Sequence, residues 1–344
     1  MSTLQGARVL VTGGAGFIGS HLVDRLLAHT GVAQVRVLDN LVNGSEKNLE
    51  DRRDDPRMIL QIGDIRDETA LAAALLDSDV VFHLACLGVR HSLHDPVENH
   101  SVNASGTLAV LEMARSRGVS CFVHVSSSEV FGTAQFAPMN EQHPTWPETV
   151  YGGSKLAGEA YSRAFHSTYG LPVIVARPFN TYGPRSHFEG DSGEMIPRTI
   201  VRLLNGERPL IFGDGEQTRD FMHVRDTARG LVALAECHHA VGRTVNLGAG
   251  VEISMNVLCK VIAAAVNRPE LTALHLADRP GDVRRLIVDA SLMRSLTGFV
   301  PEVPFASGVA ELVSWFVDSG ASPLEMLAQV DERNWANGQI AGVR

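Results

Sequence analysis

The segment Arg8-Val-Leu-Val-Thr-Gly-Gly-Ala-Gly-Phe-Ile-Gly19 decides the fold of this chain of 344 residues. Its first five residues predict a short buried strand, and an apolar-periodic helix is predicted over residues 17–28. The spacing of Gly13, Gly16 and Gly19 between these elements is typical of a dinucleotide-binding turn. The first glycine permits a tight turn, the second lets a pyrophosphate approach the backbone, and the third lets the helix pack on the strand. The free N–H groups at the start of the helix then face the phosphates.

An acidic side chain after the second predicted strand indicates which dinucleotide is bound. Asp39 follows the apolar residues 35–38 and lies 20 positions after Gly19. A carboxylate at this place accepts hydrogen bonds from the adenosine ribose and repels a 2′-phosphate. Because residues 40–42 include no arginine that would reverse this preference, the sequence favours NAD over NADP.

Apolar runs and helical patterns alternate along the first half of the chain. This alternation predicts an α/β fold with a parallel, doubly wound sheet of Rossmann type. Asp64, at the end of the third strand, is expected either to cap the next helix or to bind the adenine amino group. The polar residues 40–56 predict a surface loop. The predicted strands cover residues 8–12, 35–38, 58–62, 80–84, 121–125 and 172–177, and the predicted helices cover residues 17–28, 68–76 and 96–117.

The reacting groups are predicted to follow the fifth strand, at the sheet edge where ligands bind in open parallel sheets. Residues 126–132 contain three serines and a glutamate, and Tyr151 and Lys155 follow at the start of a predicted helix. Their i, i+4 spacing places both on one helix face. An ammonium this close is expected to lower the pKa of the phenol and make it a usable base. Ser127, or a neighbouring hydroxyl, is expected to hold the substrate oxygen while hydride passes from an alcohol to NAD⁺.

Composition argues against several functions. The formal net charge of −9 argues against general affinity for nucleic acid, and no apolar run reaches the roughly 18 residues of a membrane span. The four cysteines lack the spacing of a metal site. Cys86 and Cys121 fall at apolar strand ends and are expected to be reduced core thiols, as in the cytoplasm. We therefore expect a cytoplasmic protein without nucleic-acid, membrane or metal partners.

Motifs distributed along the chain carry a resemblance to a known family. They are Gly-Gly-Ala-Gly-Phe-Ile-Gly (13–19), Asp39, Gly63-Asp64, His83-Leu-Ala-Cys86, Ser-Ser-Ser-Glu-Val-Phe-Gly (126–132), Tyr151 with Lys155, Arg177-Pro-Phe-Asn180-Thr-Tyr-Gly-Pro-Arg185, Gln217-Thr-Arg219-Asp-Phe and Arg279-Pro-Gly-Asp282-Val-Arg. Over roughly residues 6–320 the chain resembles the extended short-chain dehydrogenases/reductases of the nucleotide-sugar epimerase/dehydratase type. The resemblance implies a nucleotide-diphosphate sugar as substrate, bound NAD that oxidises C4 of the hexose, and a homodimer formed through helices near 96–117 and 150–169.

The resemblance also implies individual site residues. The implied catalytic residues are Ser127, Ser128, Glu129, Tyr151 and Lys155. Contacts with NAD are implied for Gly13, Gly16, Phe17, Ile18, Gly19, Asp39, Asn40, Asp64, Ile65, Leu84, Ala85, Tyr151 and Lys155. Contacts with the substrate are implied for Arg90, Asn180, Arg185, Arg219 and Arg279. Arginine suits a diphosphate because its donors form a fork, although any one of these arginines is alternatively a surface salt-bridge partner.

The outcome of the reaction depends on Glu129 and its neighbours. By resemblance to 4,6-dehydratases, Glu129 is the base that removes the C5 proton once a C4 ketone has acidified it. Ser128 stands where some dehydratases have an acid, and Ser127 and Phe131 depart from the usual Thr and Tyr. An NDP-hexose 4,6-dehydratase is the first expectation. The alternatives are an NDP-sugar 4-epimerase of the UDP-glucose or UDP-glucuronate type, then a UDP-glucuronate decarboxylase and, more distantly, a non-catalytic NAD-sensing protein.

The expected domains follow the same division. Residues 1–180 are expected to form the NAD-binding Rossmann domain, with later returns to the sheet at about 215–250. Residues 181–325 are expected to form mainly a smaller substrate-binding domain, and residues 326–344 a tail of unknown role. Within the second part, the polar loop 186–194 is expected to shape a sugar pocket and residues 210–221 to form a hairpin-like excursion.

Overall fold

The computed structural model describes residues 3–278 and 284–332, and no helix in these two ranges is long and apolar enough to cross a membrane. The strands are β1 (Arg8–Thr12), β2 (Gln34–Asp39), β3 (Met58–Ile62), β4 (Val80–His83), β5 (Cys121–Val125), β6 (Val173–Pro178), β7 (Asn180–Tyr182), β8 (Leu210–Phe212), β9 (Thr218–His223), β10 (Thr244–Leu247), β11 (Glu252–Ser254) and β12 (Leu274–Leu276). The α-helices are α1 (Phe17–Ala28), α2 (Glu68–Ala74), α3 (His91–His94), α4 (Pro96–His100), α5 (Thr107–Ser116), α6 (Val150–Tyr169), α7 (Met195–Leu204), α8 (Val224–Ala235), α9 (Met255–Ala265), α10 (Ser291–Thr297), α11 (Phe305–Asp318) and α12 (Pro323–Leu327).

The main sheet has seven parallel strands in the order β10-β6-β5-β4-β1-β2-β3. Strand order reverses at β1, whose Val9 pairs with Val35 of β2 on one side and Val80 of β4 on the other. Helices α1 and α8 cover one face, and α2, α5 and α6 cover the other. The predicted fold class, a doubly wound Rossmann-type sheet, is confirmed.

The central strands are continuously apolar because helices cover both of their faces. Successive side chains of a strand point to opposite faces, so each strand supplies both cores. In β4, Val80 and Phe82 enter the core beneath α1 and α8, whereas Val81 enters the core beneath α2 and α5. Each such side chain, when fully buried, contributes about 1.5–3 kcal/mol.

Strands β7–β9, β11 and β12 and helices α7, α9, α11 and α12 form a second lobe with its own core. The predicted hairpin over residues 210–221 is wrong, since β8 pairs with β12 while β9 pairs with β7 and β11. The intervening turn contains Gly213 and Gly215, both with positive φ. Two short strands around a glycine-rich turn resemble a hairpin in sequence, but their pairing partners come from distant parts of the chain.

The predicted loop over residues 40–56 contains a 3₁₀ helix, Glu46–Arg52. Its first turn forms because the Ser45 hydroxyl oxygen accepts the backbone N–H of Lys47 at 3.3 Å. The polar composition therefore predicted exposure correctly but missed this capped element.

The predicted helix over residues 96–117 is interrupted by a π-helical turn, Ser101–Gly106, between α4 and α5. The buried Asn103 in this turn donates to the carbonyl oxygen of Leu87 at 2.9 Å and accepts the Leu87 N–H at 2.8 Å. Wide turns of this kind are frequent at functional sites. This one fixes the loop that follows β4 and leads to Arg90.

A buried carboxylate joins three distant segments. Asp220 of β9 is fully inaccessible and accepts the backbone N–H groups of Ala249 at 2.8 Å, Gly250 at 2.7 Å and Val288 at 3.4 Å. Burial raises the pKa of Asp220 to about 6, although these backbone donors oppose the shift. The second lobe is thereby tied to the segment that follows β10 of the main sheet.

Replacing Asp220 by Asn is expected to lower the free energy of unfolding by about 1–3 kcal/mol at pH 7, measured by urea denaturation. One amide oxygen cannot accept all three bonds, so that a buried donor is left unpaired. The exposed Asp54→Asn is the control and should stay within about 0.5 kcal/mol of the wild type.

The pH dependence of this difference follows from the raised pKa. Between the ordinary value of 3.8 and about 6, native Asp220 holds a proton that the unfolded chain has lost. The contribution of Asp220 to stability therefore falls as the pH rises through this window. The stability gap between wild type and Asp220→Asn should narrow from pH 4 to pH 6, and a gap that widens would contradict the assignment.

Candidate active site

A cleft of about 1060 Å³ opens at the carboxyl ends of the parallel strands and extends to α7, β8 and β9 of the second lobe. This volume is at the upper end of the range for ligand pockets. Nineteen of the predicted site residues line it: Gly13, Gly16, Phe17, Ile18, Gly19, Asp39, Asn40, Asp64, Ile65, Leu84, Ala85, Arg90, Ser127, Ser128, Glu129, Tyr151, Lys155, Asn180 and Arg219.

The glycine-rich turn is shaped by contacts that only glycine permits. Gly13 has a φ of +72°, and a Cβ there would lie 2.7 Å from the backbone nitrogen of Ala85. A Cβ on Gly19 would collide with the carbonyl oxygen of Gly13, so α1 packs on the turn because Gly19 has no side chain. Gly16 precedes α1, and within residues 3–278 and 284–332 no side chain caps the first N–H groups of the helix. These uncapped donors fit the pyrophosphate of a dinucleotide.

Asp39 lies at the end of β2 and is 7% exposed. Its two carboxylate oxygens accept the backbone N–H groups of Ala15 and Leu41, each at 2.9 Å. Burial raises the pKa of Asp39, and these two bonds oppose the shift. The carboxylate is thus tied directly to the glycine-rich turn, in the place where a ribose would meet it.

Asp64 does not cap the next helix, since the cap of α2 is Asp67. Arg66 instead binds both oxygens of Asp64 at 2.9 and 2.8 Å, and Asn40 donates to it at 3.1 Å. The hydrogen bond from Arg66 is the main reason that the pKa of Asp64 falls to about 2. Of the two predicted roles, contact with the adenine is the one that agrees with its place in the cleft.

Asp39→Asn is expected to raise the affinity for NADP relative to NAD by about tenfold, or about 1.4 kcal/mol, because it removes a charge that repels the 2′-phosphate. The measurement is titration of the cofactor-free protein with each dinucleotide. Asp64→Asn is the matched control: its charge is already paired with Arg66, so the ratio of the two dissociation constants should not change. An unchanged ratio in Asp39→Asn would refute the assigned role.

The reacting groups lie together at the end of β5 and the start of α6. The Ser127 hydroxyl is hydrogen-bonded to the phenol of Tyr151, and its oxygen accepts the N–H of Glu129 at 3.2 Å. Glu129 is close enough to Tyr151 for its charge to raise the pKa of the phenol. The structure therefore brings a hydroxyl, a carboxylate and a phenol together on one wall of the cleft.

The predicted lowering of the Tyr151 pKa is wrong in this structure. Burial raises that pKa well above its ordinary value, Cys86 and Glu129 raise it further, and only the hydrogen bond with Ser127 opposes them. The ammonium of Lys155 donates to the last carbonyl oxygen of β5 at 2.6 Å, and burial lowers the pKa of Lys155 itself. The i, i+4 spacing contained no information about the burial of the phenol or the direction of the ammonium.

The three consecutive serines have different surroundings. Ser126 is buried and donates to Glu159 at 2.7 Å. Ser128 is also buried, with 5% of its surface exposed. Ser127 is half-buried and faces Tyr151. Among the hydroxyls that the sequence left open, the geometry favours Ser127 as the partner of the phenol.

Three of the residues predicted to bind substrate line the cleft: Arg90, Asn180 and Arg219. Asn180 donates to the carbonyl oxygen of Asp220 at 3.3 Å, and Arg219 donates to the carbonyl oxygen of Thr218 at 2.8 Å. Arg90, in the loop after β4, also lines the cleft. The cleft therefore contains two separate arginines that can reach an anionic ligand.

Arg185 does not line the cleft. Its φ is +67°, and its guanidinium forms an ion pair with Asp24 of α1 at 2.8 Å. Arg185 is therefore a salt-bridge partner, which was the alternative to substrate binding. Its carboxylate partner lies on α1, far away in sequence. Arg279 lies outside the described residues, so its predicted role stays a prediction.

Sequence reasoning missed several cleft residues. Cys86 is half-buried in the cleft beside Tyr151, so the expectation of a core thiol is wrong for Cys86, whereas Cys121 is buried as predicted. Glu194 and His187 also line the cleft; burial raises the pKa of Glu194 to about 7, against the charges of His187 and Arg90. The prediction that the polar loop 186–194 shapes the pocket pointed to this region, but the composition of the loop did not single out His187 and Glu194.

Fold and site together define a class. A doubly wound parallel sheet with a glycine-rich turn after β1, an acid after β2, and a serine, tyrosine and lysine beside the end of β5 characterise an extended short-chain dehydrogenase/reductase. The family model described as GDP-mannose 4,6 dehydratase matches residues 10–312, and the chain belongs to this family.

Relatives of this chain include enzymes named for two different reactions. A putative UDP-glucose 4-epimerase of Methanocaldococcus jannaschii is 36% identical over 311 residues, 89% of this chain and 97% of that protein. A dTDP-glucose 4,6-dehydratase of Actinoplanes sp. is 36% identical over 316 residues, 90% of this chain and 97% of that protein. The solved structure of a dTDP-glucose 4,6-dehydratase from Streptomyces venezuelae with NAD bound is 34% identical, with a TM-score of 0.85 and coverage of 90% of this chain and 97% of that one.

Proposed function

We propose that the protein is an NAD-dependent NDP-hexose 4,6-dehydratase, a lyase that removes water across C5 and C6 of a nucleotide-diphosphate sugar. The observation that carries the proposal is the position of Glu129, in the same short turn as Ser127 and close to Tyr151. Elimination needs a base at C5 directly beside the groups that oxidise C4. Family membership and the dehydratases among the relatives support this assignment.

Each residue has a distinct role in this proposal. Bound NAD would accept hydride from C4 and, once reduced, would donate hydride to C6. Ser127 and Tyr151 hold the C4 hydroxyl between them. Tyr151 takes its proton once the positive charge of bound NAD⁺ has lowered the pKa of the phenol. The ketone at C4 acidifies the C5 hydrogen, and Glu129 removes it. The C6 oxygen takes up a proton, which balances the one released from O4, and leaves as water. Hydride then reaches C6, and Glu129 returns its proton to C5.

A 4-epimerase is the second candidate, and Ser128 is the observation that favours it. Ser128 is buried and carries no carboxyl group that would protonate the departing C6 oxygen. An epimerase needs only the pair Ser127 and Tyr151 and room for the 4-keto sugar to rotate. The relative named as an epimerase is as similar as the relative named as a dehydratase.

Incubation with UDP-, dTDP- and GDP-sugars, followed by mass spectrometry and NMR of the product, tests the proposal. A 4-keto-6-deoxy sugar, lighter by one water, is the expected product. A C4 epimer of unchanged mass would establish the second candidate, and loss of carbon dioxide from UDP-glucuronate would establish a decarboxylase. If no sugar is converted and none reduces NAD, both enzymatic assignments fail.

We further propose a cytoplasmic homodimer that binds neither nucleic acid nor membranes. The outer faces of α5 and α6, where the family resemblance places the interface, expose the apolar side chains of Leu108 and Tyr169 to 41% and 57%. Sedimentation equilibrium should give twice the mass of the chain. A monomer at all concentrations would refute the proposed homodimer.

A further inference from the structure

The turn formed by residues 126–132, here called the catalytic turn, is held at its first residue by a buried carboxylate. Glu159 of α6 is completely inaccessible, and its Oε1 atom accepts the hydroxyl of Ser126 at 2.7 Å. Glu159 lies four residues after Lys155 and eight after Tyr151, and so it lies on the same face of α6 as both. The face that presents the phenol to the cleft therefore also holds the start of the turn.

Arg177 of β6 completes the arrangement and reaches the other end of the turn. It is 3% exposed, and its Nε and Nη2 atoms donate to the two carboxylate oxygens of Glu159 at 2.7 and 2.6 Å. Its guanidinium carbon lies 4.7 Å from the centre of the Phe131 ring, at the distance of a cation–π contact. Phe131 is fully buried and lies near the end of the catalytic turn. The ion pair of Glu159 and Arg177 therefore contacts both ends of the catalytic turn.

The middle of the turn is also tightly packed against α6. A Cβ on Gly152, the residue after Tyr151, would lie 2.6 Å from the backbone carbonyl oxygen of Glu129. The Ser127 hydroxyl and the Glu129 carboxylate therefore have little freedom to move relative to the phenol once the ends of the turn are fixed.

The charges of the pair persist despite their burial. Burial pushes the pKa of Glu159 upward, but the hydrogen bonds and charge of Arg177, with those from Ser126 and Arg163, hold it below its ordinary value. A buried ion pair is a poor way to gain stability, because two charges must leave water. The two parallel hydrogen bonds between Arg177 and Glu159 do, however, fix the orientation of both side chains. A turn that carries catalytic groups needs this fixed orientation.

We propose that Glu159 and Arg177 are positioning residues, which hold the catalytic turn at Ser126 and Phe131 so that Ser127 meets Tyr151 and Glu129 faces the cleft. The proposal rests on the proposed function, in which Ser127 and Glu129 act on the sugar. Neither Glu159 nor Arg177 touches the substrate in this scheme.

The test uses variants that release the turn without breaking the pair, because an unpaired buried charge would damage the fold itself. Ser126→Ala removes the bond at the first end, and Phe131→Leu removes the ring at the other. Phe131→Tyr keeps the aromatic ring beside Arg177 and should match the wild type in hydrogen exchange and in the rate of NAD reduction. The control is Arg163→Ala, since Arg163 binds Glu159 at 3.0 Å from a half-exposed position and has no contact with the turn.

The first measurement, hydrogen exchange by mass spectrometry, needs no substrate. Ser126→Ala and Phe131→Leu should speed exchange within residues 126–132 and leave the rest of the main sheet unchanged. Arg163→Ala and Phe131→Tyr should match the wild type. Exchange in the turn that stays at the wild-type rate in both releasing variants would overturn the proposal.

The second measurement is single-turnover reduction of NAD with the sugar that the wild type accepts. The releasing variants should be slower by about 10- to 100-fold, since misplacement of about 1 Å costs about 100-fold. The dissociation constant of the nucleotide diphosphate should change by less than about twofold. Lower melting temperatures with an unchanged rate of reduction would mean a purely structural role.

The pH profile of this step separates positioning from general weakening. The bond with Ser127 lowers the pKa of Tyr151, while Cys86 and Glu129 raise it and Lys155 lies one turn away on α6. Loss of that bond should move the profile of the releasing variants to higher pH. If the wild type reduces no NAD with any sugar, the proposed function fails, whereas the exchange experiment still decides whether the pair holds the turn.

Discussion

Replacement of Tyr151 by Phe is expected to slow the reduction of NAD by nucleotide sugar by about 10²–10⁴-fold, the usual contribution of a positioned acid–base group. The substitution removes only the phenolic oxygen, which is hydrogen-bonded to Ser127 and lies near Glu129. The ring remains to fill its place, so that binding of the dinucleotide and of the nucleotide diphosphate should change little. The result should appear in the rate constant and not in the dissociation constants.

Single-turnover absorbance of reduced nicotinamide is the measurement for Tyr151→Phe. Tyr161→Phe is the matched control, because it makes the same change on the same helix, ten residues away, in a side chain that packs against the core beneath α2 and α5. The control should retain the wild-type rate. If Tyr151→Phe also retains it, the catalytic assignment is wrong, and the non-catalytic NAD-sensing alternative gains support.

Replacement of Glu129 by Gln is expected to lower the formation of the 4-keto-6-deoxy product by about 10²–10⁴-fold while C4 oxidation continues. Glutamine has nearly the same shape but cannot take up the C5 proton. Elimination then stops after the first step, hydride has no C6 acceptor, and the reduced cofactor should persist. In the wild type the same absorbance should rise and fall within one turnover.

The combination of retained oxidation and lost elimination distinguishes a base at C5 from a general defect. Glu112→Gln, at an exposed acid on α5, is the control and should behave as the wild type. If Glu129→Gln leaves product formation unchanged, the dehydratase proposal fails. If its only effect is on a C4 epimer, the chain is an epimerase and Glu129 has another role.

The Rossmann half of the fold could be predicted because its signals are local. Strand β1 and helix α1 have the predicted bounds, since an apolar run, three glycines and a helical period are complete within residues 8–28. The position of Asp39 could also be predicted from a local signal, because this residue directly follows a predicted strand. The second lobe was harder: its strands are three to six residues long and pair with partners far away in sequence, so that the hairpin expected over 210–221 was wrong.

The sequence by itself determined the class of sheet, the dinucleotide turn with Asp39, and the presence of Ser127, Glu129, Tyr151 and Lys155 beside the end of β5. These follow from residue types at short spacings, because backbone geometry converts spacing into position. Only the tertiary structure decided what surrounds those residues.

Burial and long-range contacts changed the predicted chemistry in three places. The pKa of Tyr151 is raised by burial of the phenol, with Cys86 and Glu129 adding to the shift, and Lys155 donates to the end of β5. Arg185 forms an ion pair with Asp24, which lies 161 positions earlier in the sequence. Arg177, from β6, reaches the catalytic turn through a side chain on α6. Charge, solvent exclusion and side-chain direction depend on groups that meet only after folding, and no local pattern specifies them.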